Sequence, residues 1–274
     1  MENKKLHGVA DTLYIPLTAR IQVSKRFPEF FYDEAALSLE KDLPDDSVEK
    51  NSSEYFYMAS VCRYRVVDRM VKAFLVKHGR CNVINLGAGL ETMYWRLRPT
   101  TALFYEMDLP EVIETRRAVL GEAENDLLIP GDLFDLSWAD GIDTSLPSII
   151  TGSGVFQYFD EHRISAFVGK IKERFDSAEL VFDAMVKKAI AFANKYVAKT
   201  GNKDAEMHFW VDDPQEFARK CGIRLIEQKP FFTDARREPK KSLTLYTRIA
   251  MKIVDEGERK GYILHYTMED GFNR

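Results

Sequence analysis

A chain of 274 residues with 45% apolar side chains can bury a sizeable core, either as one large domain or as a domain with an added lid. Its 39 basic and 43 acidic residues are mixed throughout, and a net charge near −4 without a basic stripe argues against sequence-independent nucleic-acid binding. No segment approaches the roughly 18 apolar residues that span a bilayer, Met1 to Gly8 hold no apolar leader, and Cys62, Cys81 and Cys221 fall in no metal-binding spacing. The expectation is a cytoplasmic protein with no membrane contact and no structural metal.

Taken in order, residues 1–78 read as a helical lid or extension ahead of an α/β domain over 79–274. Val9, Leu13, Ile15, Leu17, Ile21 and Phe27 are too irregular for one stripe and predict two or three short helices. Polar Asp42 to Ser53, with Pro44, reads as a solvated loop or a lid hinge. From Glu54 to Val76 the apolar positions recur near a 3.6 period, which predicts a helix carrying Arg63 and Arg65 and leading into the first strand.

Strands are predicted at 82–86, 101–107, 127–130, 147–152, 179–184, 223–229 and 243–250, with helices at 91–97, 110–120, 160–175 and 212–221. This alternation argues for a mostly parallel seven-stranded sheet covered on both faces. The last two strands, joined by polar Thr233 to Ser242, read as a hairpin that makes the final strand antiparallel. Residues 185–210 interrupt the alternation with a helix over Val186 to Val197, then Gly201-Asn202 and the aromatic Met207-His208-Phe209-Trp210. Insertions at the carboxyl edge of a sheet shape substrate pockets. The tail ends in Tyr262 to Tyr266, an apolar string expected to dock.

The chemistry concentrates at Val83-Ile84-Asn85-Leu86-Gly87-Ala88-Gly89, a strand running into a glycine turn, answered about twenty residues on by Tyr105-Glu106-Met107-Asp108. That pairing predicts a nucleoside cofactor across the carboxyl ends of the sheet, with an acid reaching the ribose. A dinucleotide fingerprint needs a third small residue where Thr92 stands, so S-adenosylmethionine (SAM), which has no phosphate, fits better than NAD. Gly131-Asp132-Leu133 follows the third strand, where Asp132 can accept from an adenine amine and the Leu133 N–H can donate to the ring. After the fourth strand come Ser153, Gly154, Phe156, Tyr158 and Phe159, small then aromatic, as a methyl-transfer channel needs. Tyr158 and His208 are the candidate catalytic residues, the histidine as a general base. No catalytic triad, metal cluster or carboxylate pair stands out in the sequence.

The run from Val83 through Gly87, Gly89, Thr92 and Trp95 to Leu97, followed by Tyr105-Glu106-Met107-Asp108-Leu109-Pro110, resembles the leucine carboxyl methyltransferase family, and its bacterial tetracenomycin-type polyketide O-methyltransferase branch in particular. The likeness extends from Gly8–Leu13 to Leu180-Val181-Phe182-Asp183 and Leu264-His265-Tyr266. It implies a class I SAM-methyltransferase, Rossmann-like fold with an N-terminal helical extension and a helical insertion. It also implies Arg63 at the cofactor carboxylate, Gly87 and Gly89 at the methionine and ribose turn, Asp108 at the ribose, and Asp132 with Leu133 at the adenine; Ala88 in the turn and Glu106 beside Asp108 are read with them as cofactor-binding residues. Arg20 falls near a second family cation. Ser153 stands where many members carry Glu, close to the cofactor amine. The reading is an O-methyltransferase acting on a carboxylate or hydroxyl of a small-molecule acceptor, as monomer or homodimer. A non-catalytic SAM-binding or interaction protein of the same fold and an NAD-dependent oxidoreductase are the alternatives.

Overall fold

The computed structural model describes residues 13–43, 52–99, 101–200, 206–239 and 242–269. Two short helices, α1 (Tyr14–Arg26) and α2 (Glu34–Ser38), precede the long α3 (Glu54–His78). Then follow β1 (Asn82–Leu86), α4 (Met93–Leu97), β2 (Leu103–Asp108), α5 (Pro110–Leu120), β3 (Asp126–Pro130) and β4 (Ser148–Gly152). The chain continues through α6 (Glu161–Arg174), β5 (Ala178–Met185), α7 (Lys187–Thr200), α8 (Pro214–Cys221), β6 (Arg224–Pro230), α9 (Leu245–Glu256) and β7 (Gly261–Thr267). The sheet order is β3-β2-β1-β4-β5-β7-β6, with β7 antiparallel to both neighbours and the other pairings parallel.

The expected seven strands and antiparallel last strand are present, but the last strand is a different segment. Residues 243–250, expected as a strand, begin α9 instead, where the Thr244 hydroxyl accepts from the Thr247 N–H at 3.3 Å and caps the helix. Thr247 and Met251, one turn apart, are its buried contacts. The apparent alternation of Leu243, Leu245 and Thr247 does not mark one face: Leu245, which opens the helix, is exposed, while Leu243 before it and Thr247 within it are buried. The strand is the apolar tail string, and every residue of β7 is buried, as a strand flanked on both sides must be. The loop expected at Asp42–Ser53 and Gly201-Asn202 lie largely or wholly outside the described residues, as does Gly8 to Thr12. Among the described residues no helix is long and apolar enough to cross a membrane.

Alternate side chains of each strand enter two cores. Val83, Phe104, Ile149, Val181 and Ile263 pack under α3 and α9. Ile84, Tyr105, Ile150, Leu180, Phe182 and Tyr266 pack against α6 and α8. Helix α3 therefore belongs to the sheet's own core, with Val61, Val67 and Val71 fully buried in it.

The α3-side face also carries polar residues. The parallel register aligns Thr151, Asn85 and Glu106 on adjacent strands. The Thr151 hydroxyl donates to Asn85, whose Nδ2 donates to Glu106 Oε1 at 2.9 Å. Arg116 of α5 closes the row, 3.3 Å from Glu106 and 3.8 Å from Asp126. Two buried carboxyls around one guanidinium cannot both ionise without an unbalanced charge. Burial pushes both upward, each is opposed by Arg116, and the negative Asp126 adds to the effect on Glu106.

The N-terminal helices dock through a second buried cluster. Arg20, 1% exposed, donates to the Leu90 carbonyl and the Thr92 hydroxyl, both at 2.6 Å, and pairs with Glu91 at 3.3 Å and Asp33 at 3.5 Å. Arg96 joins Asp33, Glu91 and Asp68. Burial alone raises the Asp33 and Glu91 carboxyls, but the two guanidiniums hold both below their ordinary values. Leu17, Ile21, Ala36, Leu39 and Leu90 form a small apolar cluster beside these charges.

Arg20→Ala leaves buried carboxylates short of a partner and is expected to lower unfolding stability by about 3–5 kcal/mol in urea titration. Arg98→Ala, which removes the exposed Arg98–Glu34 pair, is the control and changes stability by less than about 1 kcal/mol. The Glu106 effect has the opposite sign to that of a salt-bridged acid. The folded state keeps a proton that the unfolded chain releases above the ordinary Glu value of 4.5, so stability falls as pH rises through and beyond that value. Glu106→Gln is expected to flatten this fall in urea midpoints measured against pH; an unchanged slope shows that Glu106 is ionised in the fold.

Candidate functional site

Strand order reverses direction between β1 and β4, and an open α/β sheet binds its ligands in the crevice at the carboxyl ends beside such a reversal. Gly87 and Gly89 occupy it at φ +61° and +49°, conformations that favour glycine. A Cβ at Gly87 would run into Val155, so the turns after β1 and β4 touch. The Met107 carbonyl accepts from the Ala88 N–H at 3.0 Å. Asp108 accepts from the Gly89 N–H at 2.8 Å through Oδ2 and from the Leu109 N–H at 2.7 Å through Oδ1. Each oxygen keeps a further lone pair, so the carboxylate can still accept from a diol. Burial pushes its carboxyl up, opposed by those two N–H groups.

On the β3 side, the Gly131 N–H donates to the Asp108 carbonyl at 2.9 Å, joining the second and third turns. Asp132 is exposed, and its Oδ1 accepts from the Phe134 N–H at 2.8 Å, which is a turn role, while Oδ2 is left for another donor. Leu133 is buried against Trp138, whose indole N–H donates to the Leu133 carbonyl at 3.2 Å. Phe134 meets Phe159 edge to face at 4.7 Å, and the Arg163 guanidinium lies 4.0 Å from the Phe134 ring centroid. Phe159 therefore belongs to this wall, and Phe156 is fully buried between Phe167 and Phe182.

Beyond β4, Ser153, Gly154 and Tyr158 are half-buried. Arg63 reaches this turn from α3 and pairs with Asp183 of β5 at 2.6 Å. The second oxygen of Asp183 accepts from the Gly154 N–H, also at 2.6 Å. Burial would lower the Arg63 guanidinium, but Asp183 holds it above its ordinary value. The Gln157 carbonyl accepts from the His208 N–H at 2.7 Å and the Phe209 N–H at 3.2 Å, and the Asn194 amide brackets the backbone of Met207 at 2.8 and 3.0 Å. These bonds tie the aromatic insertion to the turn that carries Tyr158. His208 itself is exposed.

A model of the family described as leucine carboxyl methyltransferase matches residues 16–172, more than half of the chain. The chain belongs to the leucine carboxyl methyltransferase family. It is similar to the tetracenomycin polyketide synthesis O-methyltransferase TcmP of Streptomyces glaucescens, 24% identical over 242 residues that cover 86% of this chain and 89% of that protein. It is also similar to leucine carboxyl methyltransferase 1 of Rattus norvegicus, 38% identical over 55 residues, covering 19% of this chain and 17% of the relative. A crystal structure of a putative methyltransferase from Thermobifida fusca YX shares the fold at a TM-score of 0.61, with 17% identity and 96% of both chains covered. This family member is a SAM-dependent methyltransferase.

Most of the residues singled out from the sequence of this methyltransferase converge on the crevice: Gly87, Ala88, Gly89, Asp108, Asp132, Ser153, Arg63 and Tyr158. Glu106 does not. It lies two residues before Asp108 on the same face of β2, one step inward from the edge, with no exposed surface, and its partners are Asn85 and Arg116. Arg20 is likewise structural here, spent on Leu90, Glu91, Thr92 and Asp33. Sequence reasoning missed Asp183 and Arg116. Asp183 had a signal, an acid at the carboxyl end of a strand; buried Arg116 had none. Among the described residues no group of three or more His, Cys, Asp or Glu side chains gathers as a metal site.

The crevice suits a nucleoside joined to an amino acid: a turn without side chains at Gly87 and Gly89, lone pairs at Asp108 and Asp132, and a cation at Arg63. Gly87→Ala is expected to lose about 1–2 kcal/mol to left-handed strain alone and more to the displacement of Val155. Gly131→Ala, where a Cβ meets nothing closer than 3.5 Å and φ is not positive, holds or slightly raises the unfolding midpoint. Equal midpoints for the two variants exclude the tight turn as described.

Proposed function

We propose that this methyltransferase moves a methyl group from SAM to an oxygen of a small-molecule acceptor, a carboxylate or a hydroxyl. The observation that carries the reading is the Asp108 carboxylate bonded to the glycine turn at the strand-order reversal, with Arg63 across the same crevice. The oxygen acceptor is supported by the similarity to the O-methyltransferase of Streptomyces glaucescens, which extends over most of both chains. Bound in the crevice, SAM supplies a sulfonium methyl open to direct displacement.

The chain's own residues bind, orient and exclude water. Gly87, Ala88 and Gly89 let the cofactor approach the backbone. Asp108 accepts from the ribose hydroxyls, Asp132 from the adenine amine, and the Leu133 N–H faces the ring. Arg63 takes the amino-acid carboxylate, and Ser153 offers a hydroxyl on the amine side. The acceptor enters beside α1, α2, α7 and the aromatic residues 206–210, where Tyr158 borders the reacting oxygen and its ring face favours nearby positive charge. Catalysis then comes chiefly from alignment and desolvation. His208, exposed beside that turn, is the base where one is needed. A carboxylate acceptor is already ionised at neutral pH, whereas a phenol, with a pKa near ~10, gains from proton removal.

Titration calorimetry with SAM, and NAD as the parallel control, tests the cofactor: SAM binds and NAD does not. Asp108→Ala is expected to weaken SAM at least tenfold, and unchanged affinity sinks its ribose assignment. Labelled methyl transfer to panels of carboxylic and phenolic acceptors tests the reaction. Tyr158→Phe and His208→Ala should slow transfer to phenols about tenfold or more, while transfer to carboxylates is insensitive to His208; methylation confined to nitrogen or carbon acceptors overturns the proposal.

A further inference from the structure

The polar groups beside Ser153 form an uncommonly matched set. Arg63 arrives from α3 with 24% of its side chain exposed, and Asp183 arrives from β5 with 7% exposed. They meet at 2.6 Å, and the other carboxylate oxygen is fixed by the Gly154 N–H. The parallel register places Gly152 opposite Phe182, so Asp183 stands level with Ser153, at the same edge as Gly87 and Asp108. Ser153 brings no charge to that edge.

We propose that Asp183 and Arg63 together are the receptor for the zwitterionic amino-acid head of the cofactor, with Asp183 as the acceptor for the α-ammonium. The inference rests on the SAM reading above and assigns a residue that reading leaves out. A lone guanidinium binds the carboxylate of such a head but leaves its ammonium buried without a counter-charge, which is expensive in a half-dry crevice. An arginine beside an aspartate offers one charge of each sign with no net charge, matching a group that also carries one of each. The pair's geometry leaves room for this exchange. Asp183 uses one lone pair of each oxygen on Arg63 and Gly154, and the others remain to accept from N–H donors. Arg63 uses Nη1 on Asp183, so the rest of its fork is available to a carboxylate. The Ser153 hydroxyl stands by as a second acceptor for the ammonium.

The test uses three ligands in calorimetry: S-adenosylhomocysteine, its analogue lacking the α-amine, and 5′-methylthioadenosine, which keeps the nucleoside and sulfur but has no amino-acid head. The wild-type protein is expected to bind S-adenosylhomocysteine at least tenfold more tightly than the deaminated analogue. Asp183→Asn, which preserves shape and the Gly154 bond, is expected to weaken S-adenosylhomocysteine at least tenfold, to lose the preference for the amine and to leave methylthioadenosine within twofold. Equal wild-type affinity for the amine-bearing and deaminated ligands overturns the proposal without any variant. So does an Asp183→Asn protein that binds S-adenosylhomocysteine normally, or one that loses both ligands equally, which marks Asp183 as a support for the turn. Methylthioadenosine binding with no preference for the head defeats this inference and leaves the cofactor reading standing; silence toward all three ligands in the wild type defeats both.

Discussion

Three consecutive carbonyls of the glycine turn, those of Gly89, Leu90 and Glu91, are each claimed by a buried guanidinium. Arg116 takes Gly89 and Glu91 at 3.2 and 2.6 Å from α5, and Arg20 takes Leu90 at 2.6 Å from α1. A turn in left-handed conformation has little intrinsic preference to stay there, and each guanidinium hydrogen bond to a neutral carbonyl is stronger than the bond to water it replaces inside a dry site. The two arginines pull the carbonyl side toward α1 and α5, while Asp108 secures the Gly89 N–H from β2. The carbonyl side of the crevice turn is thus held from outside, and its N–H side by Asp108 within the lining.

Both arginines need countercharge, and the rest of the buried polar structure supplies it. Arg116 is met by Glu106 and Asp126, which extend the row from Asn85 and Thr151 beneath the site. Arg20 is met by Asp33 and Glu91, with Arg96 and Asp68 completing the group. Asp33 also caps α2 through the Ala36 N–H at 2.9 Å, so one carboxylate both starts a helix and docks it. Position in the N-terminal layer and shape of the cofactor turn are therefore one variable. Any shift of α1 reaches Leu90 through a single side chain.

The strands bordering the site were legible because each is a short apolar run ended by a turn signal, and β1 is read to the residue. The helix over 110–120 was equally plain, with proline at its start. The sequence misled in the last third, where α9 presents Leu245, Tyr246, Ile249 and Ile253 outward and so breaks the rule that apolar spacing marks the buried face. The site's backbone, glycines and terminal acid, was visible in local pattern. The partners were not: the Arg63–Asp183 pair spans 120 residues and the Arg20–Leu90 bond spans 70, and nothing local announces either. Glu106 misled for a simpler reason, since two acids two residues apart on one strand look alike until the sheet edge is known to fall between them.

The place of β7 bears on how the molecule is assembled. It is the last of the seven strands to be made, yet it lies between β5 and β6 and bonds along both. Without it, β5 has no partner on that edge and β6 has none in the sheet. β6 therefore joins the sheet only through β7, and in its absence both strands present edges of the kind that invites wrong partners. Asp183 lies on one of these strands, opposite Ile263 of β7, so the edge that carries it is flanked on both sides only with this final strand in place, like a keystone.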